Sequence, residues 1–384
     1  MTDTFQPPED GGVGALADAM TAGVPLHNSP DAPEYAETGQ MTDQQNAIMD
    51  WLGEGSNELT REGKFELWKS NINTNRSFYA KENPELVGLT AYVIGAGPSL
   101  EKNVKSLLTI SERGVLVCVE AALRYCLNNG VVPEYCVCID GGDKMLRMVE
   151  GCDTSKITLV CTPSASPALV AAWQGPRFFV TTAHLGVEKK WNTFHRTRVI
   201  KAKVDLKAGD ELFLDEQYEV AFGGVSSVIA CGGNVSTAAH DFAYRFLKAQ
   251  QIVFVGLDLS WTHDSHHYAG YEHHQNTRAR TKTFPMFHKD VNGGDVMTNF
   301  SLMAFKRWHE TVARNAPGSV INATEGGILG IGEKGVRNPF VEFMALDEAI
   351  AKYTPRRKEP GQLVAALNGN GKQHFDLATA PVQS

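Results

Sequence analysis

The sequence contains no C-x-x-C pair, and its seven cysteines are an odd number. That excludes a disulfide framework and a standard zinc site. Cys118, Cys136, Cys138 and Cys161 fall in apolar runs and read as small, reduced core residues. No apolar run approaches the roughly 18 residues that a membrane span requires. A basic N-terminal region leading into an apolar stretch is also missing, which predicts no signal peptide and a cytoplasmic protein. Residues 1–60 carry eleven acids and no Lys or Arg, leaving 36 bases against 33 acids in the other 324 residues. The folded part can therefore receive an anionic ligand, while the acidic head excludes nucleic acid as its partner. There is no internal repeat. No Gly-x-Ser-x-Gly elbow is present, and no cysteine sits in a strand-to-helix elbow with a matching His, which argues against hydrolytic triads.

What is present divides the chain into four stretches. Residues 1–60, rich in Pro, Gly, Ala and acids without a period, read as a largely disordered arm or an extended segment for a protein partner. Residues 61–87 form a helical lead-in whose Phe65, Leu67, Trp68, Ile72 and Phe78 are expected to pack on the domain. Residues 88–332 alternate strand-like and helical patterns. The strand-like runs are 91–94, 115–119, 135–139, 157–162, 178–181, 252–257 and 319–322, mostly continuous Val- and Ile-rich segments of the kind covered on both faces. Helical patterns lie at 121–129, at 236–249 and at 297–311, and residues 183–224 read as an inserted lobe or lid. Residues 333–384 are expected to hold a C-terminal helix and a loose tail. Strands alternating with helices predict an α/β protein with a doubly wound, mainly parallel sheet and flanking helices. In that architecture ligands sit beyond the C-terminal ends of the strands.

The residues at those strand ends are the candidates. After the first run comes Gly95-Ala-Gly-Pro-Ser99, a strand, a turn too tight for side chains and a helix start. Backbone N–H groups at such a start make a place for a phosphate, or simply a tight turn. Leu100 stands where a dinucleotide fingerprint needs its third Gly, and the Lys-Ser/Thr of a P-loop is missing. Asp140, opening Asp140-Gly-Gly-Asp143, can hold a ribose hydroxyl, orient a phosphate through Mg²⁺, or cap a turn. Gly232-Gly-Asn-Val-Ser236 is a second glycine turn before a helix, with Ser236 as the expected N-cap and Gly233 and Asn234 beside it. Asp258 ends the run 252–257. Five His follow within twelve residues, among them His266 and His267; the spacing matches no zinc pattern, and the choice lies between one acid/base imidazole and an exposed loop. Asn322, Thr324 and Glu325 end the last strand before Gly326-Gly327, as pocket lining or as a turn.

Ile94-Gly-Ala-Gly-Pro-Ser-Leu100, the run 127–140 with Gly130-Val-Val-Pro-Glu-Tyr135, Gly232-Gly-Asn-Val-Ser236, Gly256-Leu-Asp-Leu259 and Asn322-Ala-Thr-Glu-Gly-Gly327 occur in this order. Together they resemble the 6-hydroxymethylpterin diphosphokinase MptE-like domain, shared with the motility-associated (Maf) flagellin glycosyltransferases, over about residues 88–332. The resemblance implies a Rossmann-like transferase domain and a nucleotide-containing donor. The Maf branch implies a sugar, such as a CMP-activated nonulosonic acid, passed to a glycan or protein acceptor. The pterin branch implies diphosphate passed from ATP to a hydroxymethyl-dihydropterin with Mg²⁺. Gly256-Leu-Asp-Leu-Ser-Trp-Thr with the His-containing loop looks more like the Maf branch. On this reading Gly95, Gly97, Pro98, Ser99, Gly232, Gly233, Asn234 and Ser236 hold the donor, and Asp140 and Asp258 orient ribose or acceptor. His266 or His267 is then the general base, and Asn322, Thr324 and Glu325 line the substrate. No cofactor is implied, except Mg²⁺ at Asp140 and Asp258 for the diphosphokinase. The sequence departs from the family at Glu120, where an Asp usually ends the second strand, and Glu120 is left out of this set. A non-catalytic binding or assembly role for the inherited fold is the remaining alternative.

Overall fold

Short Val-, Ile- and Cys-rich runs become strands because both of their faces are covered, and the structure buries them almost completely. In the computed structural model, residues 64–78, 90–185, 199–201, 212–215, 227–261, 286–332 and 335–355 are described. The acidic head, and the tail beyond Pro355, lie outside the described residues. The chain runs through β1 (Thr90–Ile94), β2 (Gly114–Val119), β3 (Tyr135–Cys138), β4 (Thr158–Cys161) and β5 (Arg177–Phe179). It continues through β6 (Thr181–Leu185), β7 (Val199–Lys201), β8 (Leu212–Asp215) and β9 (Val228–Ala230). Last come β10 (Gln251–Val255), β11 (Met286–Lys289), β12 (Asp295–Thr298), β13 (Val320–Asn322) and β14 (Glu342–Phe343). The main sheet has the order β14-β13-β10-β1-β2-β3-β4-β5, and every neighbouring pair is parallel. The expected doubly wound sheet is thus observed.

The centres of β1, β3, β4 and β10 are no more than 1 % exposed, and Val115–Val119 of β2 no more than 8 %. Burying one Val, Leu or Ile side chain contributes roughly 1.5–3 kcal/mol, so these strands hold the domain together. Cys118 stands beside Cys136, and Cys138 beside Cys161, in register on adjacent strands. All seven cysteines are free thiols, and burial pushes the Cys136 and Cys138 thiols far up, which makes them core residues.

Four helices matter for the site: α1 (Glu120–Asn128), α2 (Val235–Asp241), α3 (Phe300–Asn315) and α4 (Leu346–Tyr353). The helix expected over 236–249 is α-helical only to Asp241 and widens into a π turn over Phe242–Phe246. There Asp241 accepts the N–H of Ala230 at 2.7 Å and pairs with Arg245 at 2.8 Å. The helix expected to begin at Met297 begins later, because Met297 pairs with Phe287 in the β11–β12 hairpin and Asn299 caps the N–H of Leu302. The run 178–181 divides at Val180. Its N–H bonds Cys161 O in the main sheet, whereas that of Thr181 bonds Ser227 O in a second sheet of order β7-β8-β6-β9. That second sheet holds the described part of the stretch read as a lobe.

The lead-in, helical over residues 64–75, buries Ile72, sets Trp68 against Gly141 and is followed by Phe78 packed on the core, and two amides add to this attachment. Asn71 Nδ2 donates to Gly141 O and Ser164 O, and Asn75 Nδ2 to Pro163 O and Ala165 O, all near 3.0 Å. These bonds satisfy buried carbonyls in the loops after β3 and β4.

Candidate active site

The strand order reverses at β1. From there the chain winds through β2, β3, β4 and β5 to one edge, then crosses back to place β10, β13 and β14 on the other side. A crevice beyond the C-terminal ends of the two central strands is where such sheets take ligands. The loops there are Gly95–Ser99 after β1 and Gly256–Ser260 after β10, and they grip each other. Gly95 N–H donates to Val255 O at 2.8 Å, Gly97 N–H to Gly256 O at 2.7 Å and Ser99 N–H to Asp258 Oδ2 at 2.9 Å. Ser99 Oγ donates a short hydrogen bond to Asp258 Oδ1. Three N–H groups expected to face a phosphate are thus committed within the protein, and a carboxylate takes the anion's place. The glycines make this approach possible. A Cβ at Gly95 would stand 2.5 Å from Gly256 O, and one at Gly97 would stand 2.6 Å from Asp258 Oδ1. Pro98 lies in the turn, and the helix behind it is a single turn, Leu100–Asn103.

Asp258 is 6 % exposed, and burial raises its carboxyl to about 6 against the pull of the two Ser99 hydrogen bonds. The backbone around it is strained. Among the described residues three non-glycines have positive φ, and two of them, Leu259 at 52° and Glu325 at 57°, flank Asp258. Each left-handed residue of this kind costs of order 1–3 kcal/mol and tends to mark functional sites. Gly327, at φ 73°, closes over the backbone of Asp258, where a Cβ would come within 2.2 Å of its oxygen.

Glu120 opens α1 at the C-terminal end of β2, next to the β1 loop. It is 7 % exposed, and its Oε2 is buried without a hydrogen-bond partner among the described residues. Burial raises its carboxyl to about 7; the like charge of Asp140 adds to that rise, and Lys144 opposes it. Two buried carboxyls near neutrality, one on each side of the β1 loop, form the kind of constellation that proton-transfer sites use. Sequence reasoning set Glu120 aside. The signal was an acid ending an otherwise apolar strand beside the glycine loop.

Asp140 does not join them. Its Oδ1 caps the N–H of Gly142 at 2.9 Å and pairs with Lys64 at 3.6 Å. Strands β1 and β2 stand between the ends of β10 and β3, so Asp258 and Asp140 lie three strand spacings apart, about 14 Å. They do not fit as joint ligands of one Mg²⁺ ion, whose ligands lie at about 2.1 Å. Among the described residues no three His, Cys, Asp or Glu side chains converge as a metal site.

The second glycine turn is built differently. The π turn that continues α2 ends five residues before β10 begins, and α2 packs on β1, β2 and β3, so its start lies at the C-terminal edge of the sheet. Asn234, not the expected Ser236, is the N-cap: its Oδ1 accepts the N–H of Thr237 at 3.0 Å. Gly232 packs under the Trp308 ring, and Gly233 takes φ 101°. Among the described residues, the N–H groups of Val235 and Ser236, in the first turn of α2, have no acceptor, and neither has Asn234 Nδ2. Open hydrogen-bond donors therefore sit on this turn.

Asn322, Thr324 and Glu325 brace the crevice from beneath. Asn322 Nδ2 donates to Leu329 O and its Oδ1 accepts Thr324 N–H, while Thr324 Oγ1 bridges Leu257 N–H and Phe254 O. Glu325 Oε1 accepts the N–H of Leu346, which fixes the start of α4. Its backbone carries the strained φ beside Asp258. His266 and His267 lie outside the described residues; the chain leaves at Trp261, which pairs with Met297, and returns at Met286, which pairs with Thr298 on the same hairpin.

The family described as 6-hydroxymethylpterin diphosphokinase MptE-like matches residues 67–264, just over half of the chain, and the chain belongs to it. The solved structure of a Maf glycosyltransferase from Magnetospirillum magneticum AMB-1 is similar in fold, with a TM-score of 0.51 and 13% identity. That likeness covers 85% of this chain and 45% of the other, so this chain spans less than half of that protein. No curated protein sequence matches.

Proposed function

We propose that this member of the MptE-like family is a transferase that takes its group from a nucleotide-activated donor, and that the group is a sugar passed to an acceptor hydroxyl. The family match and the Maf-like fold support a nucleotide-using transferase. One observation carries the reading of the site: the two glycine turns at the crevice differ, one filled by Asp258 and the other with open donors. The donor's phosphate meets Asn234 Nδ2 and the N–H groups of Val235 and Ser236. Such donors stabilise the negative charge that grows on the departing nucleotide.

The Gly95–Ser99 turn then serves chemistry rather than phosphate. It holds Asp258 in one orientation, where the carboxylate directs the acceptor hydroxyl or the ribose. Glu120 accepts a second hydroxyl through its unpaired Oε2. His266 or His267 removes the acceptor's proton as the bond to the donor breaks. A CMP-activated nonulosonic acid is the favoured donor, and a glycan or protein hydroxyl the acceptor. The family's own description favours a second reading, transfer of diphosphate from ATP to 6-hydroxymethyl-dihydropterin. In that case Asp258 or Asp140, not both together, would hold Mg²⁺, which would neutralise charge on the ATP phosphates.

Incubation with CMP-sugars and an acceptor in the presence of EDTA is expected to release CMP. Release of AMP from ATP, abolished by EDTA, establishes the diphosphokinase instead. No CMP release from any donor overturns the glycosyltransferase reading.

A further inference from the structure

Behind the Gly232–Ser236 turn runs a buried polar chain. Asn234 Oδ1, which caps Thr237, also accepts the Ser236 hydroxyl at 3.0 Å. Ser236 Oγ lies 3.2 Å from His309 Nε2, and His309 Nδ1 lies 2.9 Å from His240 Nδ1. The two rings are stacked with 12° between their planes, and both are fully buried between α2, α3 and Phe254 of β10. Burial lowers His240 to about 3 and drives His309 well below its ordinary value, so each ring is neutral and carries a single N–H.

The hydrogen-bond directions follow from counting protons. Ser236 has one hydroxyl proton, and Asn234 Oδ1 receives it. Ser236 Oγ must then accept from His309 Nε2–H, which leaves His309 Nδ1 as an acceptor and puts the other proton on His240 Nδ1. Along this chain one group is left over, the lone pair of His240 Nε2, which is buried without a partner among the described residues. The reverse order withdraws the hydroxyl from Asn234 and leaves a buried N–H on His240 unpaired. Neither ring touches the crevice, and no step proposed above uses them.

We infer that His309 and His240 are positioning residues for Asn234. Their chain of hydrogen bonds locks the amide with Oδ1 turned inward and Nδ2 turned out, so the side chain meets a ligand only as a hydrogen-bond donor. The ligand group opposite it is then an acceptor, a phosphate or sugar oxygen. The consequence for donor binding rests on the proposed transferase site; the proton order of the pair does not.

Two measurements on the full chain separate these claims. In ¹⁵N-histidine NMR, with signals identified by their loss in His309→Gln and His240→Gln, His309 is expected as the Nε2–H tautomer and His240 as the Nδ1–H tautomer. Neither should titrate between about pH 6 and 8. The opposite tautomers, or titration of either ring in that range, overturn the inference. In calorimetry with CMP, His309→Gln, whose amide can still donate to Ser236, is expected to bind within about threefold of wild type. His309→Leu is expected to lose about tenfold or more at unchanged fold, judged by circular dichroism. Equal affinity in both variants, or equal loss in both, overturns positioning. If wild type binds neither CMP, UDP nor ATP, the transferase reading fails, and the tautomers still decide the proton order.

Discussion

The Gly95–Ser99 and Gly232–Ser236 turns share one edge of the sheet and one written pattern, glycines before a helix, yet the structure uses them in opposite ways. In the first, glycine lets two backbones and a carboxylate close on each other, and Ser99 gives both its N–H and its hydroxyl to Asp258. In the second, the turn folds over Trp308, and its side-chain oxygen is satisfied from within while its nitrogen remains open. A glycine turn is therefore not a phosphate site by composition. What decides is whether its N–H groups already have partners.

Five substitutions test that contrast and the carboxyls beside it, beginning with the largest effect. Gly95→Ala puts a methyl 2.5 Å from a backbone oxygen that cannot yield, and should cost roughly 3 kcal/mol or more in denaturant unfolding. Gly232→Ala meets the base of the Trp308 side chain, Cγ at 2.4 Å and Cβ at 2.8 Å, and should cost roughly 2–3 kcal/mol. A cost below about 1 kcal/mol would show that the ring and its helix yield there.

Glu120 offers the next test, through pH. Its carboxyl sits at about 7 in the fold against an ordinary 4.5, so the folded state binds the proton more tightly than the unfolded chain does. Its stabilising effect is full below about pH 4.5 and lost as pH rises through about 7. Glu120→Gln should flatten that fall and raise stability near pH 8 by up to roughly 3 kcal/mol. An unchanged profile would mean that Glu120 is well solvated.

Ser99→Ala removes the hydroxyl hydrogen bond to Asp258 and keeps the backbone one, and should cost about 1–2 kcal/mol, while raising the carboxyl further as seen in its ¹³C titration. Asn234→Ala removes an N-cap and should cost about 1 kcal/mol.

Much of the fold was legible because buried parallel strands write themselves as short Val- and Ile-rich runs. The break at Val180 was not, because the run stays apolar while the chain changes sheets. The attachment of residues 64–75 was legible in part: Ile72 and the aromatics advertise burial, whereas Asn71 and Asn75 reveal their role only once the loops they bind are in place. At the site, the sequence indicated which loops meet at the crevice and left open which donors stay free. Glu325 read as pocket lining or as a turn, and the bond from its carboxylate to the start of α4, 21 positions away, was not legible. The His240–His309 pair lies 69 positions apart, and only the packing of α2 on α3 brings it together.

The central claim is that the donor's phosphate is received at the Asn234 turn and not in the Ser99 turn. Asn234→Asp keeps the capping oxygen and replaces the open N–H₂ with a second oxygen, so the helix start survives while the hydrogen-bond donor is lost. Calorimetric titration of CMP, UDP and ATP into wild type, Asn234→Asp and Ser99→Ala tests the claim most directly. Nucleotide affinity should fall about tenfold or more in Asn234→Asp and change less than about threefold in Ser99→Ala. Unchanged affinity in Asn234→Asp with a large loss in Ser99→Ala would contradict it.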